Sequence, residues 1–456
     1  MLKKHPIWRL LIWVLVFICV ESIAIKNADA GLNTVRQGKA YHFSQKKFVI
    51  QVLPGGALLQ EPPNIQQDVQ GSGGRVWIDG YPMTVTPQTA LFTAPDSTRF
   101  GFRPYGDMVR VHAVQHGKSV SNTFSFSLFR PNTWITYQAI FSANRKIVAT
   151  QLRFWPNYVD VKEEKFLGMF AAKIVAPDYG KNISGSIQYK HGGPIQILPD
   201  QGVQEYVSQL GMELTPQYQK ELAANDPTKI DFRFYVVHPF IDAPGNHLVQ
   251  MDGEVPSFGF FVANHITYNS PKRNSMVENI IAMPNGIVLI PDVALARLHD
   301  KSQLAALLSY AITSVVQRQA YVAWGNVTGP HASGRGWPSF IYAFAHWQDE
   351  QQLRLGIRQM YLAGYDIREA PFAWAVAQGK PVNNPVIDSK HPDKEIPWYA
   401  AYAFNYISHY YSDVDYSKLK RGEKEYQQFL QELYKADPSL PHPKVAAAAT
   451  SAAATK

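Results

Sequence analysis

Within residues 304–319, LAALLSYAITSVVQRQ, the apolar positions Leu304, Leu307, Leu308, Ala311 and Val315 fall at i, i+3, i+4, i+7 and i+11. That spacing predicts a helix with one buried face. Helical patterns recur over 201–224, 300–321, 341–362, 398–411 and 422–434. Upstream the period changes to two: residues 123–128, TFSFSL, alternate, part of 108–114 does the same, and β-branched runs at 147–150 and 158–161 are bounded by Pro, Gly and Asn. Short strands with frequent turn signals predict an antiparallel sandwich or barrel-like domain over residues 31–190. Leu53-Pro54-Gly55-Gly56 and residues 71–74 are expected to be loop punctuation, since neither stands between a strand and a helix as a phosphate-binding loop would. Beyond the link His191-Gly192-Gly193-Pro194, a strand is expected at 230–237, and Met283-Pro284-Asn285-Gly286 is expected to turn the chain between apolar flanks over 280–290. The class is α+β: an N-terminal antiparallel β domain, then a mostly helical domain over 195–436.

The first thirty residues stand apart. Lys3, Lys4 and Arg9 precede an apolar run over 10–20, and Ala28-Asp29-Ala30 follows as an A-x-A site, the layout of a secretory signal peptide. The protein is therefore expected to be exported, to the periplasm, or held to the membrane if the segment stays uncleaved. The single cysteine, Cys19, lies inside that segment, so disulfides contribute nothing to the mature chain. Across 456 residues, 46% hydrophobic and 13% aromatic composition supplies ample core material. Of the net charge of +8, residues 1–30 carry +2 (four basic, two acidic), leaving a mild +6 spread along the rest. No basic block or nucleic-acid module stands out, so no nucleic acid is expected as partner. Residues 437–456 end in an Ala/Thr-rich low-complexity tail.

Several segments, in order and at consistent spacing over about 200–400, resemble metallopeptidase family 48, which includes HtpX-like and CaaX prenyl proteases and periplasmic quality-control proteases. Residues 203–237 resemble its opening helix and strand. Residues 279–290, NIIAMPNGIVLI, resemble its N-A-F-A-x-P-G-G-x-I-x-x segment, residues 304–319 its L-A-A-V-L-A-H-E-I-G-H-V-V-A-R-H helix, and residues 349–356, DEQQLRLG, with Ala363-Gly364-Tyr365-Asp366, its E-x-x-A-D-R-x-G…A-G-Y-D helix. Ser389-Lys390-His391-Pro392 resembles its S-T-H-P turn. The resemblance implies a zincin-like domain with a small edge-strand sheet. It also implies a substrate or partner groove along Met283, Pro284, Asn285, Gly286, Ile287, Leu289 and His391, with residues 287–290 as the strand on which an extended polypeptide lies.

The departures from the pattern carry the functional expectation. A zincin helix needs two His one turn apart to hold Zn²⁺ and an intervening Glu to activate water. Here Tyr310, Ala311 and Ser314 stand at those places, Asp349 at the third ligand, and Leu353 at a supporting Asp. Phenol and hydroxyl are poor substitutes for two imidazoles, and the general base is gone. No zinc or other cofactor is expected; Asp349, His346 and His391 are the weak metal candidates. The expectation is a pseudoprotease that binds extended segments of envelope proteins. Two alternatives stay open: a metalloendopeptidase with an atypical site centred on Asp349, and a structural component of an envelope complex. The stretch 239–277 is too long for an ordinary connection, and is expected to be a packed hairpin or a flap. In the aromatic run 398–411, Trp398, Tyr402, Asn405 and His409 share one helical face and Tyr399, Ala403, Tyr406 and Tyr410 another, which predicts a helix buried on a helical core.

Overall fold

The computed structural model describes residues 52–61, 74–86, 88–93, 118–119, 129–141, 146–189, 194–241, 276–277, 280–321, 337–377 and 398–441. The expected signal peptide, the strands at 108–114 and 123–128, most of 239–277, His391 and the end of the tail lie outside them. The chain divides into two compact units, residues 1–49 with 383–401, and residues 50–382 with 402–456. Apart from 398–401, every described residue belongs to the second unit.

The first sheet is built from β1 (Val52–Leu58), β2 (Gly74–Ile78), β3 (Tyr81–Val85), β4 (Ala90–Thr93), β5 (Lys118–Ser119), β6 (Thr133–Phe141) and β7 (Ile147–Pro156). Its order is β1-β6-β7-β3-β2, with β4 also on β7 and β5 on β4. The sheet is mixed, not antiparallel as expected, because β7 pairs in parallel with both β3 and β4. Residue alternation reports which face of a strand is buried; it carries nothing about the partner's direction. The expected loop Leu53-Pro54-Gly55-Gly56 is instead part of β1, in register from Val52 opposite Ile140 to Leu58 opposite Trp134. As the terminal strand of the path, β1 tolerates a proline that has no N–H to give the ladder. Ile78, Met83, Ile135, Leu152 and Phe154 form the core of this half.

Helix α1 (Val161–Gly168) follows, started by Asp160, whose side chain accepts from the Glu163 N–H. The strand expected at 158–161 is thus a cap and a first helical residue. Then come β8 (Ala172–Val175), β9 (Gly185–Tyr189), β10 (Ile195–Ile197), α2 (Gln201–Leu214), α3 (Gln217–Glu221), β11 (Arg233–Val237), β12 (Phe240–Ile241), β13 (Met276–Val277), β14 (Ile281–Ala282) and β15 (Ile287–Pro291). The second sheet runs β14-β15-β11-β10-β9-β8, so β8 and β9 share it with strands from beyond residue 194, and the two sheets meet in sequence near residues 157–171. Phe166 of α1 and Phe170 just after it, with Ile187, Ile197, Ile287 and Leu289 from the sheet, make its core.

The remaining helices are α4 (Asp292–Arg297), α5 (Lys301–Val316), α6 (Trp337–Leu362), α7 (Ala370–Ala377), α8 (Trp398–Tyr410) and α9 (Glu423–Ala436). Helix α5 departs from the expected single buried face: every residue from Ser302 to Val316 is buried, the signature of a central helix. Helix α8 forms as expected, and Tyr402 meets Arg354 of α6, but Tyr406 and Tyr410 pack edge-on against Tyr81 of β3, so part of its aromatic surface meets the first sheet. Among the described residues no helix is long and apolar enough to cross a membrane.

Candidate functional site

The site is centred on α5, whose start is fixed by Asp300, its carboxylate accepting from the Gln303 N–H at 2.9 Å. Three turns further on, Tyr310 is fully buried. Its ring lies parallel to Trp374 of α7, centroids 6.1 Å apart and planes at 12°, and its hydroxyl donates to the Ala370 carbonyl at 3.2 Å. Helix α6 closes the other side. Gln352 Nε2 donates to the Tyr310 carbonyl at 3.0 Å, and a Cβ on Gly356 would collide with the Tyr310 ring, so only glycine permits this approach. Ala311 is fully buried, and Ser314 Oγ donates to the Ala311 carbonyl at 2.7 Å, spending its proton on its own helix. The three positions expected to hold remnants of a metal motif are therefore filled by packing.

Helix α6 carries a second face that grips the first sheet. Gln351, Arg354 and Arg358, at i, i+3 and i+7, reach the turn between β2 and β3 and the end of β1. Arg354 is buried with its NH2 donating to Asp79 Oδ2 at 2.8 Å, its Nε to the Asp79 carbonyl at 2.9 Å, and its NH1 to the Tyr402 hydroxyl at 2.7 Å. The guanidinium lies over the Tyr81 ring, 4.4 Å from the centroid. Asp79 also accepts from Gln351 at 2.8 Å and from the Tyr137 hydroxyl at 2.7 Å. Burial works against the Arg354 charge, yet the Asp79 carboxylate holds the guanidinium protonated well above its usual range. Arg358 forms a two-pronged pair with Glu61 at 2.8 and 2.7 Å. Beside it, Gln317 donates to the Leu58 carbonyl at 3.0 Å and accepts from the Leu58 N–H at 2.9 Å, pairing with β1 as another strand would. Asp349 lies midway along α6, half-buried, next to Glu350, whose carboxyl is pushed up by burial. His346 lies within α6, but its side chain is outside the described residues, and His391 is outside them altogether.

The expected groove segment is a tight hairpin. Met283 N–H donates to the Ile287 carbonyl at 2.7 Å and Gly286 N–H to the Met283 carbonyl at 2.9 Å, with Gly286 at φ 92° as such a turn demands. Residues 287–290 are not an open edge: β15 is flanked by β11, parallel along its whole length, and by β14, and its side chains are all buried. Four central hydrophobic residues in a row, Ile287 to Ile290, are the mark of a strand covered on both faces. What the fold does bring together is Ser314 with Pro284 and Asn285. They share the wall of a cavity of about 230 Å³ that also touches Phe166, Arg318 and Tyr321, with exposed Pro227 at its margin. Arg318 is engaged there, donating to Glu163 at 2.9 Å and to the Tyr158 carbonyl at 2.7 Å. The cavity has room for one or two side chains and offers no nucleophile paired with a base.

Asp300 gives a pH signature. Burial and the neighbouring Glu369 push its carboxyl up to about 6, against the pull of Arg421. An acid whose native pKa exceeds its unfolded value binds more protons in the native state, so stability rises as pH falls from about 6 to about 4. Unfolding free energies from urea denaturation over that interval should fall with increasing pH, by up to about 3 kcal/mol for this one group. Asp300→Asn keeps the cap and should flatten that slope.

Sequence patterns alone did not single out Asp79, Gln317, Arg354 and Arg358, or the group His238, Asp292 and Asp437, which among the described residues lies within reach of a single cation. One local signal existed for the first of these. Asp79-Gly80 between apolar runs is a hairpin dipeptide, and both residues take positive φ, 56° and 75°. Compared with models of known protein families and with curated proteins, the chain has no significant match.

Proposed function

We propose that the protein is an exported, non-catalytic member of the zincin-like peptidase lineage typified by family 48, and that it holds extended segments of envelope polypeptides without cutting them. The observation that carries this reading is the Tyr310 environment. Where a hydrolytic site needs two imidazoles, a carboxylate base and a water, the chain has a stacked phenol, a methyl and a hydroxyl bonded to its own helix. The order of segments along residues 200–400 supports the lineage. The binding place is the cavity beside Ser314, Pro284 and Asn285, in which a side chain of the bound segment sits; β15 takes no part, because both its edges are occupied.

The test is incubation of the purified protein with a fluorescently labelled, urea-unfolded outer-membrane protein. Saturable binding is expected, weakened about tenfold by Pro227→Trp, which narrows the cavity mouth from an exposed position. No binding, or binding indifferent to Pro227→Trp, would refute the assignment of the cavity.

A further inference from the structure

His238, Asp292 and Asp437 come from distant parts of the chain and meet at one end of the second sheet. Strands β11 and β15 are parallel with Val237 opposite Pro291, so the residues that follow, His238 and Asp292, leave the sheet side by side. Asp437 is the residue on which α9 ends. Its Oδ1 accepts from the Ser439 N–H at 2.9 Å and the Ser439 hydroxyl at 2.6 Å, which turns Oδ2 toward the imidazole. His238 Nδ1 stands 2.8 Å from Asp292 Oδ2 and 3.5 Å from Asp437 Oδ2, and one ligand atom from each of the three residues falls within 4.8 Å of the others.

Asp292 is the independent sign that something belongs between them. It is fully buried, and its Oδ1 receives no hydrogen bond among the described residues. A buried carboxylate oxygen without a donor is costly, and native folds satisfy such atoms. A protonated His238 does not complete the site. Its single charge balances one of two carboxylates, and its one Nδ1–H cannot serve both and also reach Asp292 Oδ1. A divalent cation balances both carboxylates and accepts the imidazole nitrogen as a third ligand. With bonds of about 2.0–2.2 Å, such an ion holds its ligand atoms about 3–3.5 Å apart, close to the 2.8 and 3.5 Å that separate His238 Nδ1 from the two carboxylate oxygens.

We propose that His238 Nδ1 with the Asp292 and Asp437 carboxylates forms a binding site for a divalent first-row transition cation, Zn²⁺ or Mn²⁺, that fastens the end of α9 to the second sheet. One imidazole and two carboxylates are a borderline-to-hard donor set, suited to these ions and not to thiophilic ones. His238 is about one-third exposed, with a side-chain exposure of 34%, which gives the ion a way in. The site is separate from Tyr310 and Ser314 on α5, and cation binding here implies no peptide hydrolysis.

The test uses the full chain, purified without a histidine tag, stripped with chelator and titrated by calorimetry with ZnCl₂ and separately with MnCl₂. His238→Ala and Asp437→Asn are measured alongside, their folding checked by circular dichroism. One cation per chain is expected, at least about tenfold weaker in each variant, with a melting temperature raised by about 3 °C or more on adding metal to the parent alone. No saturable binding by the folded parent at about 100 μM metal, or equal binding by parent and folded variants, would overturn the site. Because the polypeptide-binding cavity involves none of these three residues, either result leaves the outcome at Pro227 to be judged by itself.

Discussion

Replacing Arg354 by Met destabilises the protein by about 3–5 kcal/mol, the usual cost of removing one partner from a buried ion pair. The change strands the Asp79 carboxylate, which is fully buried and, among the described residues, keeps only the Gln351 amide and Tyr137 hydroxyl as side-chain donors. It also removes the donor to the Asp79 carbonyl and the cation over Tyr81. Asp79 cannot move away to find water, because Asp79 and Gly80 form a turn in positive φ, and a Cβ on Gly80 would strike Arg354. The double substitution Asp79→Asn with Arg354→Met should recover much of the loss, since asparagine tolerates the same backbone and leaves no charge behind. Urea denaturation of the two single variants and the double variant measures the coupling. A loss under about 1 kcal/mol for Arg354→Met would mean that the network between α6 and the first sheet is not what joins them.

The second large effect is expected at Tyr310. Tyr310→Ala should cost about 3–5 kcal/mol, the range for truncating a buried aromatic to a methyl, because Trp374 of α7 and the backbone at Gly356 of α6 close around the ring from two helices. Tyr310→Phe isolates the hydroxyl: it leaves the Ala370 carbonyl without that donor and should cost about 1 kcal/mol. The ratio of the two losses separates packing from polarity. If Tyr310→Ala were tolerated within about 0.5 kcal/mol, Tyr310 would not be a core residue, and its place on α5 would be open to another role.

Helix α5 is legible in the sequence because its apolar spacing is dense and Asp300 caps it; α6, α8 and α9 follow for similar reasons of periodicity. The turn at Met283–Gly286 is legible because its glycine must take positive φ. Strand β1 is not, since Pro54-Gly55-Gly56 looks like a loop until an edge position makes the proline harmless. The parallel pairings of β7 are equally invisible, because alternation is the same for either strand direction. At the site, the absence of His and Glu from α5 is plain from residue identity, whereas what fills their place depends on Trp374, Gly356 and Ala370, which lie 46 to 64 residues further along the chain. The gripping face of α6 is hidden for a related reason: arginines usually mark solvent, and only the fold sets Arg354 against Asp79, which lies 275 residues earlier.

The most direct measurement is the fate of the unfolded outer-membrane protein during its incubation with the purified chain, with Zn²⁺ added and with chelator added. The packing around Tyr310 predicts that the labelled polypeptide stays full length in both, bound but uncut. Cleavage that requires Zn²⁺, disappears with chelator, survives His238→Ala and is lost in Asp349→Ala would contradict the account and restore a working metal centre beside α5.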